Sequence, residues 1–453
     1  MDDLIQAAQI PSQEIQEFDG KIYLVGQYDA DGISATAIAH QLLTRLGKDF
    51  EYEIVKQLYE EDIDRLAEER DEDLLFFVDT GSGQSQYIQE KLIEDKGKQV
   101  VISDHHDPQI EGDFPHFNPH FEGYDGGEAV SAAGMTYILS KQIDSDNQDL
   151  IPFALIGAAG DIQKQDGEFL GLNTNLVAEA VENGHIEKRK GLDLYGRTTK
   201  PLHKSLMYTS DPHLEGITNN ESGAIQAVKE AGIEIRENGE FKTLSDLKPE
   251  EEKQLIHHLI TSGHDVEKLL NNIYTLKNGY EIDEYSTIIN ACGRLGEPRK
   301  GVKILLENDQ KLAEKISRKY GRKISKSLKY AEENKDNEEV IYEEEIGVLD
   351  AEDNIEDDFI GTVTTIIMSN GFYTAPVVAG FAHTEKDKIK VSTRGTKKAV
   401  ENGLNLGETI EKIIEDTEGE GGGHNIAAGA KIPRKDKQQF IEDLKTEVKQ
   451  AVS

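Results

Sequence analysis

Short apolar blocks alternate with amphipathic stretches through the first third of the chain. Ile22-Tyr23-Leu24-Val25, Glu53-Ile54-Val55, Leu74-Leu75-Phe76-Phe77-Val78 and Val100-Val101-Ile102 read as four strands. Between them, residues 33–46, the region around Ile63 and Leu66, and residues 87–93 have helical spacing. Gly47 beyond the first of these is a plausible stop. Strands alternating with helices over residues 20–165 predict a parallel sheet covered on both faces.

Residues 175–305 read as mostly helical, with scattered Gly and Pro punctuation. A long helical pattern follows over residues 311–330 and is unusually basic. It carries Lys311, Lys315, Arg318, Lys319, Arg322, Lys323, Lys326 and Lys329, opposed by Glu314 alone. Gly321 in its middle weakens the expectation of one unbroken helix. The acidic residues 332–345 make a natural boundary. Beyond it, Val340-Ile341-Tyr342, Val377-Val378-Ala379 and Ile389-Lys390-Val391 predict a second, mixed α/β domain. The expected division is a core at 1–175, a mostly helical region completing it at 176–310, a basic helix and acidic linker at 311–338, and a smaller domain at 339–453.

Composition narrows the classes. In 453 residues, 50 Lys and Arg stand against 87 Asp and Glu, a formal net charge of −37 spread along the whole chain. Such a surface suits a protein kept soluble at high salt, where screening over a few ångströms tames self-repulsion. It does not exclude nucleic acid, because a local basic groove can coexist with an acidic balance. The single Cys292 excludes an intrachain disulfide framework and any multi-cysteine metal site. The acidic start, Met1-Asp2-Asp3, lacks a secretion-signal layout, and no apolar run approaches the roughly 20 residues that span a bilayer. A soluble, cytoplasmic protein is expected.

Three of the apolar runs end in metal-competent side chains. Val100-Val101-Ile102 leads to Asp104-His105-His106, the first strand to Asp29-Ala30-Asp31-Gly32, and the third to Asp79-Thr80-Gly81-Ser82-Gly83. That places carboxylates and imidazoles at the carboxyl edge of the sheet, where open α/β sheets bind ligands. In an extended chain Asp29 and Asp31 would project the same way and could offer oxygens to a hard cation. A turn and helix cap would explain the same residues. Two adjacent imidazoles suit a borderline metal, and Asp104 can orient one ring through its other nitrogen. Asp161 ends the run Phe153-Ala154-Leu155-Ile156-Gly157-Ala158-Ala159-Gly160 as the other carboxylates end theirs. Four agreeing sites fit two manganese or magnesium ions, which would activate water and clamp a phosphate. Near the carboxyl end, the glycine-dense Gly421-Gly422-Gly423-His424 would cradle an anion on exposed backbone N–H groups. Arg394 offers a planar fork to phosphate.

These residues together resemble the DHH phosphoesterase superfamily, in the family's order and over nearly the whole chain. The match runs through Asp29-Ala30-Asp31, Asp79, Asp104-His105-His106 and Asp161 to the Gly421-Gly422-Gly423-His424 of the DHH-associated domain. The middle resembles the archaeal RecJ-like branch, in Leu194-Tyr195-Gly196-Arg197, Lys200-Pro201-Leu202-His203 and Asn290-Ala291-Cys292-Gly293-Arg294. The resemblance implies a parallel-sheet DHH catalytic domain with a helical insert, a long connecting helix and a smaller α/β DHH-associated domain. It implies an exonuclease on single-stranded DNA, with RNA left open, serving repair or replication with two divalent ions, manganese before magnesium. Asp29, Asp31, Asp79, His105 and Asp161 would be the ligands, with Asp79 as bridge. His106 would stand near the phosphate and Asp104 behind it. Arg394, Gly422, Gly423 and His424 would hold neighbouring phosphates, and Arg318 and Arg322 would line the strand's path. A replisome partner such as the GINS complex rests on the resemblance alone.

One departure matters. Many members carry His two residues before the first Asp, where this chain has Gln27. A neutral amide is a poorer ligand, which leaves one metal position weak or water-filled. Two rival readings follow. A phosphoesterase of short oligonucleotides or nucleotides needs no such large middle region. A non-catalytic replisome scaffold would tolerate Gln27 but not require the five retained ligands.

Overall fold

The computed structural model describes residues 1–209, 212–334, 345–369, 371–384, 387–415 and 417–452. It separates into two compact units, Met1–Ser317 and Arg318–Ser453.

The first unit is built on β1 (Lys21–Gln27), β2 (Asp49–Val55), β3 (Leu74–Val78), β4 (Gln99–Ser103) and β5 (His116–Phe117). They pair in the order β2-β1-β3-β4-β5, parallel throughout. The first four match the apolar runs; the two-residue β5 is too short to leave a pattern. All five residues of β3 are buried, as in a strand covered on both faces. Tyr23, Val25, Leu75, Phe77, Val100 and Ile102 share one core with Ile63, Leu66, Ile88 and Leu92. Ile22, Leu24, Phe76 and Val101 are buried on the other face, in the period-2 alternation of a strand. Chain direction across the sheet reverses between β1 and β3, which creates a switch point where their carboxyl ends leave a crevice.

Behind that crevice, helices Ala30–Arg45, Ala132–Ile143 and Ile151–Gly160 pack on one another. Asp161 is the C-cap of the last of them. It therefore comes from a helix end, not a strand end, and in this respect differs from the expectation. Asp31 likewise lies inside the first turn of Ala30–Arg45, with Asp29 as that helix's N-cap, so the two carboxylates do not sit on an extended segment.

The middle region holds helices Leu202–Tyr208, Glu221–Glu230 and Pro249–Thr261 around a core that includes Leu206, Val228, Leu255 and Leu259. It also holds an unanticipated antiparallel pair, Ile186–Leu192 with Leu270–Leu276. The first of these strands exposes four charged residues in succession, so no apolar alternation marked it. Helix Gln310–Asn334 runs unbroken through Gly321. Lys311, Lys315, Arg318, Lys319, Arg322, Lys326 and Lys329 are exposed along it at three- and four-residue steps, while Ala313, Ile316 and Ala331 are buried.

In the second unit, Ile346–Glu352 pairs in parallel with Val377–His383, and Lys388–Gly395, Ala427–Pro433 and Glu420–Gly423 continue the sheet antiparallel. Val377-Val378-Ala379 and Ile389-Lys390-Val391 lie in strands as expected, whereas Val340-Ile341-Tyr342 lies outside the described residues. Helices Leu406–Ile414 and Lys437–Val452 close one face through Ile410, Phe440 and Leu444. Gly421-Gly422-Gly423 is an edge strand rather than a loop. A Cβ on Gly421 would meet the Gly429 carbonyl oxygen at 2.6 Å, and one on Gly423 the Ala427 oxygen at 2.6 Å. These glycines serve close backbone packing.

Candidate metal centre

Carboxylates and imidazoles converge at the switch point in two sets that share His105. Asp79, His105 and His106 form one; Asp31, His105 and Asp161 form the other; within each, donor atoms lie within 4.8 Å of one another. His105 Nε2 stands 3.5 Å from Asp79 Oδ1 and 3.8 Å from Asp31 Oδ2. His105 Nδ1 is 3.7 Å from Asp161 Oδ2, and His106 Nδ1 is 3.9 Å from Asp79 Oδ1. Asp29 belongs to neither set. Its Oδ1 accepts from the Gly32 N–H at 3.0 Å, yet its charge is felt at Asp31, Asp79 and Asp161.

Each side chain is held by a specific neighbour. The Asp31 carboxylate accepts from the first two N–H groups of helix Ala132–Ile143, Ala132 at 2.7 Å and Ala133 at 3.0 Å. Those donors are orphaned at any helix start, and the helix dipole favours the negative charge there. Gly157 lets the neighbouring helix approach, since a Cβ there would sit 2.2 Å from Asp31 Oδ1. Asp79 adopts a left-handed backbone, φ 57°, that turns its side chain out of β3, and its N–H donates to the Ser103 carbonyl. His105 Nδ1 donates to the Gly126 carbonyl at 2.8 Å, which fixes the ring and turns Nε2 toward Asp31 and Asp79. Asp104 is fully buried and accepts from the His105 N–H at 2.8 Å, the Ser82 N–H at 3.0 Å and His106 Nδ1 at 2.8 Å.

Burial pushes Asp79 well above the ordinary carboxylate range, with Asp29 and Asp31 adding to it. Asp31 is raised by burial despite His105, and Asp161 is pushed up to about 7 by burial and then by Asp31 and Asp29. Burial opposes charge on His105, but Asp31, Asp161 and Asp104 outweigh it and raise the ring to about 9. The Asp104 charge raises His106 to about 10. For Asp104 itself, burial is overcome by His106 and by donated hydrogen bonds, which hold it far below the usual range. Repelling carboxylates in a buried pocket are relieved by a cation.

The donor set fits one. Asp79 Oδ1 is buried without a hydrogen-bond partner and faces both imidazoles. Oxygen and imidazole donors at such an orphan suit manganese or magnesium. With its amide nitrogen toward Asp79, Gln27 donates to the Asp79 carbonyl at 2.7 Å and to Oδ2 at 3.3 Å. It thus braces the carboxylate.

Several supporting residues gave no sequence signal. Gln163 is fully buried, and its Nε2 donates to Asp161 Oδ2 at 3.0 Å and to the Gly126 carbonyl at 2.9 Å. Asn118 Nδ2 donates to the His106 carbonyl and to Ser82 Oγ, both at 2.9 Å. Their positions follow from loops that meet only in the folded chain.

The other residues expected to meet substrate belong to the second unit. Arg394 spends its guanidinium on Thr365 Oγ1 and on the Thr393 and Gly361 carbonyls, tying its strand to helix Asp357–Ser369. Gly422 and Gly423 are in the edge strand, and exposed His424 begins the turn that follows it. Arg318 and Arg322 are exposed on helix Gln310–Asn334.

Residues 21–159 match the DHH family N-terminal domain, 194–272 the DHH-CID domain and 339–451 the DHHA1 domain. An uncharacterized protein of Methanocaldococcus jannaschii is 29% identical over 441 residues, 95% of this chain and 94% of that one. The single-stranded-DNA-specific exonuclease RecJ of Bacillus subtilis is 32% identical over 93 residues, 19% of this chain and 12% of its own length. Among solved structures, manganese-bound RecJ from Thermus thermophilus shares the fold with a TM-score of 0.59 at 19% identity, over 99% of this chain. This chain spans 55% of that RecJ. CDC45 from Entamoeba histolytica shares it with a TM-score of 0.61 at 11% identity, over 99% of both chains.

Proposed function

This chain is a RecJ-like member of the DHH superfamily of phosphoesterases, and from that premise we propose that it is a metal-dependent exonuclease of single-stranded nucleic acid. The observation that carries the reading is the pair of donor sets sharing His105 at the sheet's switch point. Asp31, Asp79, His105 and Asp161 would hold two divalent ions, with Asp29 contributing charge and His105 common to both sets. Bound there, the ions supply Lewis acidity toward a phosphodiester and its attacking water.

The chain's own residues do the rest. Asp104 keeps His106 protonated near neutral pH and takes up its Nδ1, which leaves Nε2–H for a non-bridging phosphate oxygen. The His106 side chain is half exposed, so a strand can reach it. Gln27 restrains Asp79 in place of a further ligand. The exposed basic stripe Lys311 to Lys329, with Arg318 and Arg322, would follow the backbone of the strand. Gly422, Gly423 and His424 of the DHHA1 domain would meet neighbouring phosphates, Arg394 acting through the strand it braces. A role in repair or replication, and a partner such as the GINS complex, extend the same reading.

The test is degradation of end-labelled single strands with manganese by the wild type and by Asp79→Ala. Progressive shortening by the wild type and none by the variant is the expected outcome. Turnover of dinucleotides alone would replace the reading with a short-oligonucleotide phosphoesterase. The second reading is a replisome scaffold, favoured by Gln27 and by the CDC45 fold likeness; it would bind strands without cutting them.

A further inference from the structure

Ile162, the residue after Asp161, is the wrong residue for its backbone. Among the described residues, eight that are not glycine have positive φ, and seven of them are Asp, Asn or Glu. The eighth is Ile162, at φ 59°. A β-branched side chain is strained there, because its Cβ crowds the following carbonyl.

The position has a clear structural role that Ile does not serve. Helix Ile151–Gly160 ends in a Schellman motif: the Gln163 N–H donates to the Ala158 carbonyl at 2.9 Å and the Ile162 N–H to the Ala159 carbonyl at 3.4 Å. Ile162 occupies the left-handed position that glycine normally takes. The apolar contact accompanying that motif belongs to the next residue, here Gln163. Four residues on, the same segment makes another left-handed turn and uses Asp166 and Gly167. Nor does burial compensate. Ile162 is 83% exposed, the most exposed large apolar side chain among the described residues. Neither packing nor propensity explains an isoleucine here, and unexplained strain is found where a fold does its work.

The location supplies the explanation. Asp161 and His106 are 35% and 50% exposed, against 3% and 1% for Asp31 and Asp79, so they mark the open side of the centre. Ile162 is one Cα step, about 3.8 Å, beyond Asp161 on that rim. We propose that Ile162 is a substrate-positioning residue whose side chain packs against the sugar and base of the nucleotide adjoining the scissile phosphate. This rests on the exonuclease reading and adds a base-facing apolar contact to it. Such a contact is indifferent to sequence, since every nucleoside offers an apolar face.

The experiment compares Ile162→Gly, Ile162→Asn and Ile162→Leu in the full chain. For Gly and Asn, the thermal midpoint should rise by about 1–3 °C as strain is released. At the same time KM for a single-stranded oligonucleotide should rise about five-fold, with a smaller change in kcat. Ile162→Leu should restore KM without the gain in midpoint. Unchanged KM in a stabilised variant, or a lowered midpoint in both Gly and Asn variants, overturns the proposal. A wild type that cuts no strand at all instead overturns the exonuclease reading on which it stands.

Discussion

The carboxylate of Asp104 and the imidazole of His106, two residues apart, form a 2.8 Å hydrogen bond in which the carboxylate is buried and the ring half exposed. The pair fixes the ring just beyond the end of β4, and the buried Asp104 charge raises His106 to about 10. Asp104→Asn keeps the shape and removes the charge. Turnover of single strands should fall about 10- to 100-fold, while manganese still raises the thermal midpoint. Undiminished turnover would remove Asp104 from the positioning of His106.

Asp79 is buried among like charges and has an orphan oxygen. Asp79→Ala should leave the metal-free protein as stable as the wild type or more so. It should also abolish the manganese-induced rise in thermal midpoint, which for the wild type corresponds to about 2.7 kcal/mol at a hundred times the dissociation constant. Melting curves with and without the metal measure both effects. A variant that keeps the manganese shift would show that Asp79 is not a ligand.

Glu284 Oε1 accepts from the Thr198 N–H at 2.9 Å, and its Oε2 is buried without a hydrogen-bond partner. Burial raises it from 4.5 to about 7, against the pull of the Thr198 and Thr199 amides. The folded state therefore holds a proton that the unfolded chain releases. Its contribution is present below about pH 4.5, is lost as pH rises toward 7, and is flat beyond, a span of roughly 3 kcal/mol. Glu284→Gln should raise the midpoint by about 5 °C at pH 8 and change it little at pH 4.5. A variant that tracks the wild type at both pH values would rule out this titration.

The basic helix makes a separate, ionic-strength-dependent claim. Replacing Arg318, Arg322 and Lys326 together by Gln should reduce the slope of log affinity against log salt by about 2 for single strands. Binding titrations from low to high salt give the slope directly. Unchanged affinity at low salt would reject a strand path along this helix.

Strands β1, β3 and β4 and the Asp104-His105-His106 cluster were legible because a strand buried on both faces must be a continuous apolar run, and its end is then visible as the first polar residue. The edge strand Glu420–Gly423 was not legible for the opposite reason: a strand packed by its backbone carries no side-chain pattern. Nothing local shows that the Arg394 fork reaches Thr365 and Gly361, because both lie on a helix that only the fold brings alongside.

By itself, then, the amino-acid order determined the sheet, its carboxyl edge and the types of donor that gather there, since hydrophobic periodicity and strand ends are local properties. Only tertiary structure decided that Asp31 is pinned by amides 101 and 102 residues away, that Asp161 arrives on a helix end, and that Ile162 is held strained and exposed beside it. Those depend on which segments the core brings together, and packing between distant elements leaves no trace in the spacing of neighbours.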